Sequence, residues 1–182
     1  MLWVILGVIA LLFIGVIIIF NQLVQSRQLV ENGWSDIEVQ LKRRADLIPR
    51  LVETVKGYAG HERKLFAEVI EKRNAALAAG DKPDMRGSAE SALQKPVGKL
   101  LALAEDYPDL KASGNFLDLQ NELSETENKI EMARRFYNGA VRGLNTKIES
   151  VPSNLVAGPF GFQKRDYFEI EEADYAVPEV NL

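Results

Sequence analysis

The chain contains no cysteine and one histidine, His61. Disulfides, thiolate nucleophiles and cysteine-ligated zinc or iron–sulfur centres are thereby excluded, while the compartment stays open. A metalloprotease signature needs a second histidine four residues after His61-Glu62, and position 65 is leucine. Carboxylate di-iron bundles draw histidines from two helices, which one histidine cannot supply. His61 therefore reads as an ordinary helix or turn residue, with nothing to motivate a pH-sensing role. A basic excess is lacking too. Lys+Arg 22 against Asp+Glu 26 leaves a net charge of −4, so no field is present to hold nucleic acid. There is no Gly-rich phosphate loop after a strand, no G-x-S-x-G and no Walker motif. Carboxylates are plentiful, Glu122, Glu125 and Glu127 among them, but no pair stands out by spacing. No catalytic, cofactor-binding or metal-ligating residue is read, and no enzyme activity is expected.

The most telling absence is at the start. Met1 to Phe20 contain no charge, no proline and two glycines, and the first charge is Arg27. As a helix rising ~1.5 Å per residue, this run spans about 30 Å, the thickness of a bilayer's hydrocarbon core. A cleaved signal peptide is the alternative, but it wants a positive leading region and a small-x-small site, and Phe20-Asn21-Gln22-Leu23 offers none. The expectation is a retained transmembrane anchor over residues 1–24. A helical domain follows over 25–152, and an aromatic then acidic tail over 153–182. A soluble part of about 150 residues is long enough for one buried core. Basic residues flank the run only on its far side (Arg27, Lys42, Arg43, Arg44), which places the domain in the cytoplasm by the positive-inside rule.

Beyond the run, apolar residues recur in steps of three and four: Val30, Trp34, Ile37, Leu41, Ala45, Ile48, Val52, Val55, Ala59. That period predicts a helix, not a strand, continuing through Phe66, Val69 and Leu77. Pro49 inside a helix costs about 3 kcal/mol. A break at Asn32-Gly33 and a kink or restart near Asp46 are therefore expected, with Asp46 as N-cap and Pro49 in the first turn. Ala79 to Asp84 reads as a turn, and a shorter helix is expected from about Ser88 to Asp106. Pro108 suits the first position of the next helix. The best-patterned segment runs Phe116, Leu119, Leu123, Thr126, Ile130, Ala133, Tyr137, Val141, Leu144, Ile148, Val151, a heptad-like coiled-coil seam ending at Pro152. Lys42-Arg43-Arg44 stands about 33 Å beyond Phe20 on an upright helix, several Debye lengths from the lipid headgroups. Salt bridges within the bundle or to a neighbouring copy suit it better. In the tail, Phe160, Phe162, Tyr167 and Phe168 sit among glycines and a proline, and six acids with no base follow Arg165. Its aromatic half is expected to fold back over the bundle or to dock on a partner.

These blocks resemble the LemA family. Trp34-Ser35-Asp36-Ile37, Leu41-Lys42-Arg43-Arg44, Asp46-Leu47-Ile48-Pro49 and Val55-Lys56-Gly57-Tyr58 carry the resemblance in the first half. Tyr107-Pro108-Asp109-Leu110, Thr126-Glu127-Asn128, Tyr137-Asn138, Val151-Pro152-Ser153-Asn154 and Tyr167-Phe168-Glu169 carry it in the second. The departure is Gly139 and Gly143, which weaken the last long helix. The resemblance implies a bacterial, single-span membrane protein with an all-α fold, its soluble part an antiparallel up-and-down bundle of long helices. It implies no cofactor and no family catalytic residue, only an association with membrane organisation and membrane proteases.

Two functions follow as expectations. The first is a scaffold that assembles with its own copies at the inner membrane of a bacterial cell and organises or remodels the bilayer. Trp34, Asp46, Pro49, Asn128, Tyr137 and Asn138 then set packing and helix register. The second is an adaptor that holds a membrane protease or transporter through Phe160, Phe162, Tyr167 and Phe168. A hydrolase, the third class, would need a buried, perturbed carboxylate in a pocket.

Overall fold

The computed structural model describes residues 1–170, and every element in it is a helix: α1 (Leu2–Lys56), α2 (Arg63–Ala78), α3 (Pro83–Leu103), a short 3-10 turn (Ala104–Asp106), α4 (Pro108–Lys111), α5 (Gly114–Glu149) and α6 (Asn154–Ala157). No strand occurs among the described residues. The all-α class expected from the periodicity is what is found. The acidic end of the tail, residues 171–182, lies outside the described residues.

Helix α1 corrects two expectations. It neither breaks at Asn32-Gly33 nor restarts at Asp46, and Pro49 sits inside it. A proline at 49 removes the amide that would bond to the carbonyl of residue 45. Here the Arg73 Nε of α2 takes that place, donating to the Ala45 carbonyl at 2.7 Å. Gly33 stays helical because its missing side chain is used: a Cβ there would meet Phe136 Cδ1 at 3.0 Å and the Tyr137 Cα at 3.1 Å. The stripe does not run on through Phe66, because the chain turns at Gly57–Glu62. Helix α3 begins at Pro83, five residues before the expected start, and takes buried Pro96 into its interior. Pro108 does open a helix, but only the four-residue α4.

The chain forms two compact units. One comprises Met1–Ile37 and Met132–Tyr167; the other comprises Glu38–Glu131 and, of the tail, residues 168–170. The second unit holds the broad core, in which Ile48, Leu51, Val55, Phe66, Val69, Leu93, Leu100, Leu110, Phe116 and Leu123 are buried together. Each large side chain there contributes about 1.5–3 kcal/mol through burial. The first unit has a narrower core. Leu23, Val156, Ala157 and Phe162 are buried with Ile19, Phe20, Val24 and Ile148 against them, and Tyr137, Val141 and Leu144 are buried on α5. At the apolar start of α1, the most apolar 18-residue window has mean hydropathy 3.2 and holds no buried residue, and the helix is long and apolar enough to cross a membrane.

Candidate functional site

Within the second unit, a charge cluster occupies positions that the helix period assigns to apolar residues. Arg44 lies three residues after Leu41 and four before Ile48, both fully buried, so its guanidinium points inward and is 5% exposed. Glu90 of α3 is 2% exposed and meets the Arg44 Nη2 in a short ion pair. The other Glu90 oxygen accepts from Arg86 Nε at 3.0 Å, one turn back on α3. Arg44 Nη1 donates to Glu127 of α5 at 2.8 Å, and Gln94 Nε2 donates to the second Glu127 oxygen at 3.2 Å. Two guanidinium groups thus face two carboxylates across three helices. The Arg44 Nε–H is buried and meets no acceptor among the described residues. Burial opposes the charge on Arg44, yet Glu127 and Glu90 outweigh it and hold its pKa above the ordinary arginine value. Arg44 thus stays charged, and with its two carboxylates it joins three helices.

The same unit contains the contact that seats the tail. Gly87 is buried on α3, and a Cβ there would lie 2.0 Å from the Glu169 carbonyl oxygen. Only a glycine lets the tail backbone approach so closely. Phe168 and Ile170, on either side of Glu169, are buried as a result.

In the first unit, Trp34 and Tyr137 meet with ring centroids 5.5 Å apart. The Tyr137 hydroxyl donates to the Asp166 carbonyl at 2.8 Å, and burial pushes its pKa up to about 12, with Arg165 pulling down and Asp166 adding to the rise. Asn145 grips the tail twice: its Nδ2 donates to the Arg165 carbonyl and its Oδ1 accepts the Arg165 amide, both at 2.9 Å. Further along, Phe160 and Phe162 stand edge-on to Phe20 at 5.0 and 5.7 Å. Gly161, at φ +71, makes the turn that sets both rings on one side.

The ten residues singled out by sequence are thus dispersed. Trp34, Tyr137, Phe160 and Phe162 lie in ring contacts of the first unit, where Asn138 is half-buried and Tyr167 exposed. In the second unit Phe168 is buried and Pro49 partly buried, and Asp46 is exposed beside Lys42 at 3.3 Å and Arg73 at 3.9 Å. Asn128 lies exposed on α5, next to Glu127, so the polar group reaching inward there is the glutamate. Of Lys42-Arg43-Arg44, Arg44 makes its salt bridges inside the bundle. Arg43 lines an open groove of about 390 Å³ with Val39, Lys42, Asp46, Leu47, Arg50 and Glu122. Three bases against two acids give that groove little power to select a ligand. Sequence reasoning missed Arg73, Arg86, Gly87 and Glu90. For Glu90 and Arg86 a signal existed: they continue the spacing of Leu100, Val97 and Leu93 backward by threes and fours. Among the described residues, no group of three or more His, Asp or Glu is placed to hold a metal ion.

Apart from Phe20, the residues of these features lie in the stretch that matches the model of the LemA family, residues 33–182. The chain belongs to the LemA family. It is 26% identical over 180 residues to magnetosome protein MamQ 2 of Paramagnetospirillum magneticum, an alignment covering 85% of this chain and 66% of that relative. Protein LemA of Metamycoplasma hominis is 27% identical over 150 residues, covering 82% of this chain and 66% of the relative. Magnetosome protein MamQ of Magnetospirillum gryphiswaldense is 25% identical over 165 residues, covering 76% and 60%. The chain spans just under two thirds of the length of these relatives. Membership goes with a membrane-associated protein, in keeping with the apolar start of α1.

Proposed function

We propose that this LemA-family protein is a non-catalytic scaffold, anchored by one span in the inner membrane of a bacterium, that assembles with copies of itself and organises the bilayer. The basic residues after the span support a domain on the cytoplasmic side. The observation that carries self-assembly is Gly139 with Gly143. Each glycine inside a helix costs roughly 0.5–1 kcal/mol relative to alanine. Among the described residues nothing requires them, for none has an atom within 4 Å of a Cβ built at either position. They share one exposed stripe of α5 with Met132 and Phe136, within an arc of about 60° on a helix of 3.6 residues per turn. Apolar side chains followed by small residues are what a close helix from a neighbouring copy needs. A relative named as a magnetosome protein suits a role in shaping or populating a membrane, as does a span continuous with the first helix of the domain.

The test is native mass spectrometry of the full-length protein in mild detergent. Assemblies larger than a dimer are expected, and they should fall apart when Gly139 and Gly143 are both changed to leucine while helicity is kept. A wild-type monomer would overturn the scaffold. The adaptor reading, a tether for a membrane protease or transporter, draws on exposed Tyr167 and Phe160, and a monomer that co-purifies with such a partner would favour it.

A further inference from the structure

The side of the first unit that meets α1 near Phe20 has an outward face that its own packing leaves uncovered. Phe20 ends the uncharged apolar run, and Arg27 is the first charge, seven residues or about 10 Å further along the helix. Into this interval the chain folds α6 and its flanks. Val156, Ala157 and Phe162 bury Leu23, and Phe160 and Phe162 abut Phe20. The same short segment turns three large apolar side chains outward: Val151 is 78% exposed, Leu155 71% and Phe160 57%. A cationic belt lies one level further along. Lys147 Nζ donates to Ser26 Oγ at 2.8 Å, the Arg27 guanidinium stands 5.5 Å over the Phe162 ring, and Arg165 reaches Glu31 at 3.7 Å.

We propose that Val151–Phe162 is a second membrane contact, an interfacial element whose Val151, Leu155 and Phe160 side chains enter the boundary between acyl chains and headgroups. The proposal rests on α1 crossing the bilayer. If it does, the hydrocarbon edge falls near Phe20, and the polar zone adds roughly 5–7 Å beyond it. The exposed face is continuous with that lipid-covered surface, because Phe160 touches Phe20 itself. This continuity makes lipid the occupant in preference to a second protein. Along α1 the order is that of an interface: the uncharged run, then Phe20 with Phe160 and Phe162 on it, then Arg27 with Lys147 and Arg165 beside it. One helix crossing a bilayer is free to tilt and rotate, and interfacial anchors restrict both. A lipid-seated α6 would give the end of α5 its own hold on the membrane and fix the orientation of this unit on the surface.

The chain has no cysteine, so single labels can be placed at will. Gly7→Cys, Ser35→Cys, Val151→Cys and Leu155→Cys are each labelled with a small fluorophore and reconstituted into vesicles of phosphatidylcholine and phosphatidylglycerol. Quenching by spin-labelled lipid is compared with quenching by aqueous iodide. Positions 151 and 155 should match position 7, with lipid quenching favoured over position 35 by roughly tenfold, as for groups seated ~5–10 Å into the boundary. Ser35 is exposed on α1, about 22 Å along the helix beyond Phe20, and serves as the aqueous reference. Lipid quenching at 7 with iodide quenching at 151 and 155 would overturn the interfacial contact and leave the span intact. Iodide quenching at all four would overturn both. Shielding of 151 and 155 from both quenchers would show a protein partner on this face and overturn the proposal equally.

Discussion

The two units join α1 to α5 by different means. In the unit of Glu38–Glu131, the broad apolar core makes room for a charged key, with Arg44 reaching across to Glu127 and Glu90. In the unit of Met1–Ile37 and Met132–Tyr167, the helices close on each other at Gly33, ring meets ring at Trp34 and Tyr137, and side chains tether the tail through its backbone. The difference follows from core size. The Arg44–Glu90 pair can be desolvated only where surrounding apolar burial is large enough to offset it. A narrow core must instead gain its specificity from shape and from single hydrogen bonds, each worth about 0.5–1.5 kcal/mol. Substitutions in the two units should therefore differ in size and in kind.

The largest effect is expected at Glu90. Glu90→Ala leaves Arg44 and Arg86 facing each other with one buried carboxylate gone, and should cost about 3–5 kcal/mol in urea unfolding of the detergent-solubilised protein. Replacing the pair together, Arg44→Met with Glu90→Leu, should restore most of that loss, because buried ion pairs and apolar isosteres are often near equal. A double variant as unstable as the single one would show that the charges stabilise the fold outright, and the contrast between units would then be one of strength alone.

A middle-sized effect is expected at Pro49, which also marks the limit of sequence reasoning. The period of three and four along α1 and α5 was legible, because a helix face announces itself in consecutive residues. Pro49 was legible as a problem, but its solution was not: the group that replaces the lost amide is Arg73, which only tertiary folding brings to Ala45. Gly87 was illegible for the same reason, since its requirement comes from Glu169, far along the chain. Arg44 stands inside the apolar register, whereas Arg86, the second partner of its carboxylate Glu90, lies before Ser88, the expected start of that helix. Arg73→Met should leave the Ala45 carbonyl unpaired and cost about 1–3 kcal/mol. In a Pro49→Ala background the restored amide takes that carbonyl, and the same change should cost under about 0.5 kcal/mol. Equal losses in both backgrounds would mean that Arg73 acts through Asp46 and not through the proline.

The smallest effect belongs to the narrower unit and separates the two by pH. Tyr137 is buried, its hydroxyl donates to the Asp166 carbonyl, and its pKa is pushed up to about 12 by that burial, against about 10 in an unfolded chain. The folded state therefore holds this proton more tightly than the unfolded state does. Its contribution is complete below pH ~10 and is lost as pH rises from ~10 toward ~12. Tyr137→Phe keeps the ring against Trp34 and removes only the hydrogen bond, so a loss of about 0.5–1.5 kcal/mol at neutral pH is expected. The same variant should show a shallower fall in stability between pH 10 and 12 than the wild type, read from thermal unfolding at several pH values. Arg44 keeps its charge through that window, since Glu127 and Glu90 outweigh its burial and hold its pKa above the ordinary arginine value. A Tyr137→Phe protein that loses stability as steeply as the wild type would place the alkaline sensitivity elsewhere, and would leave Tyr137 a packing residue like its neighbours on the seam.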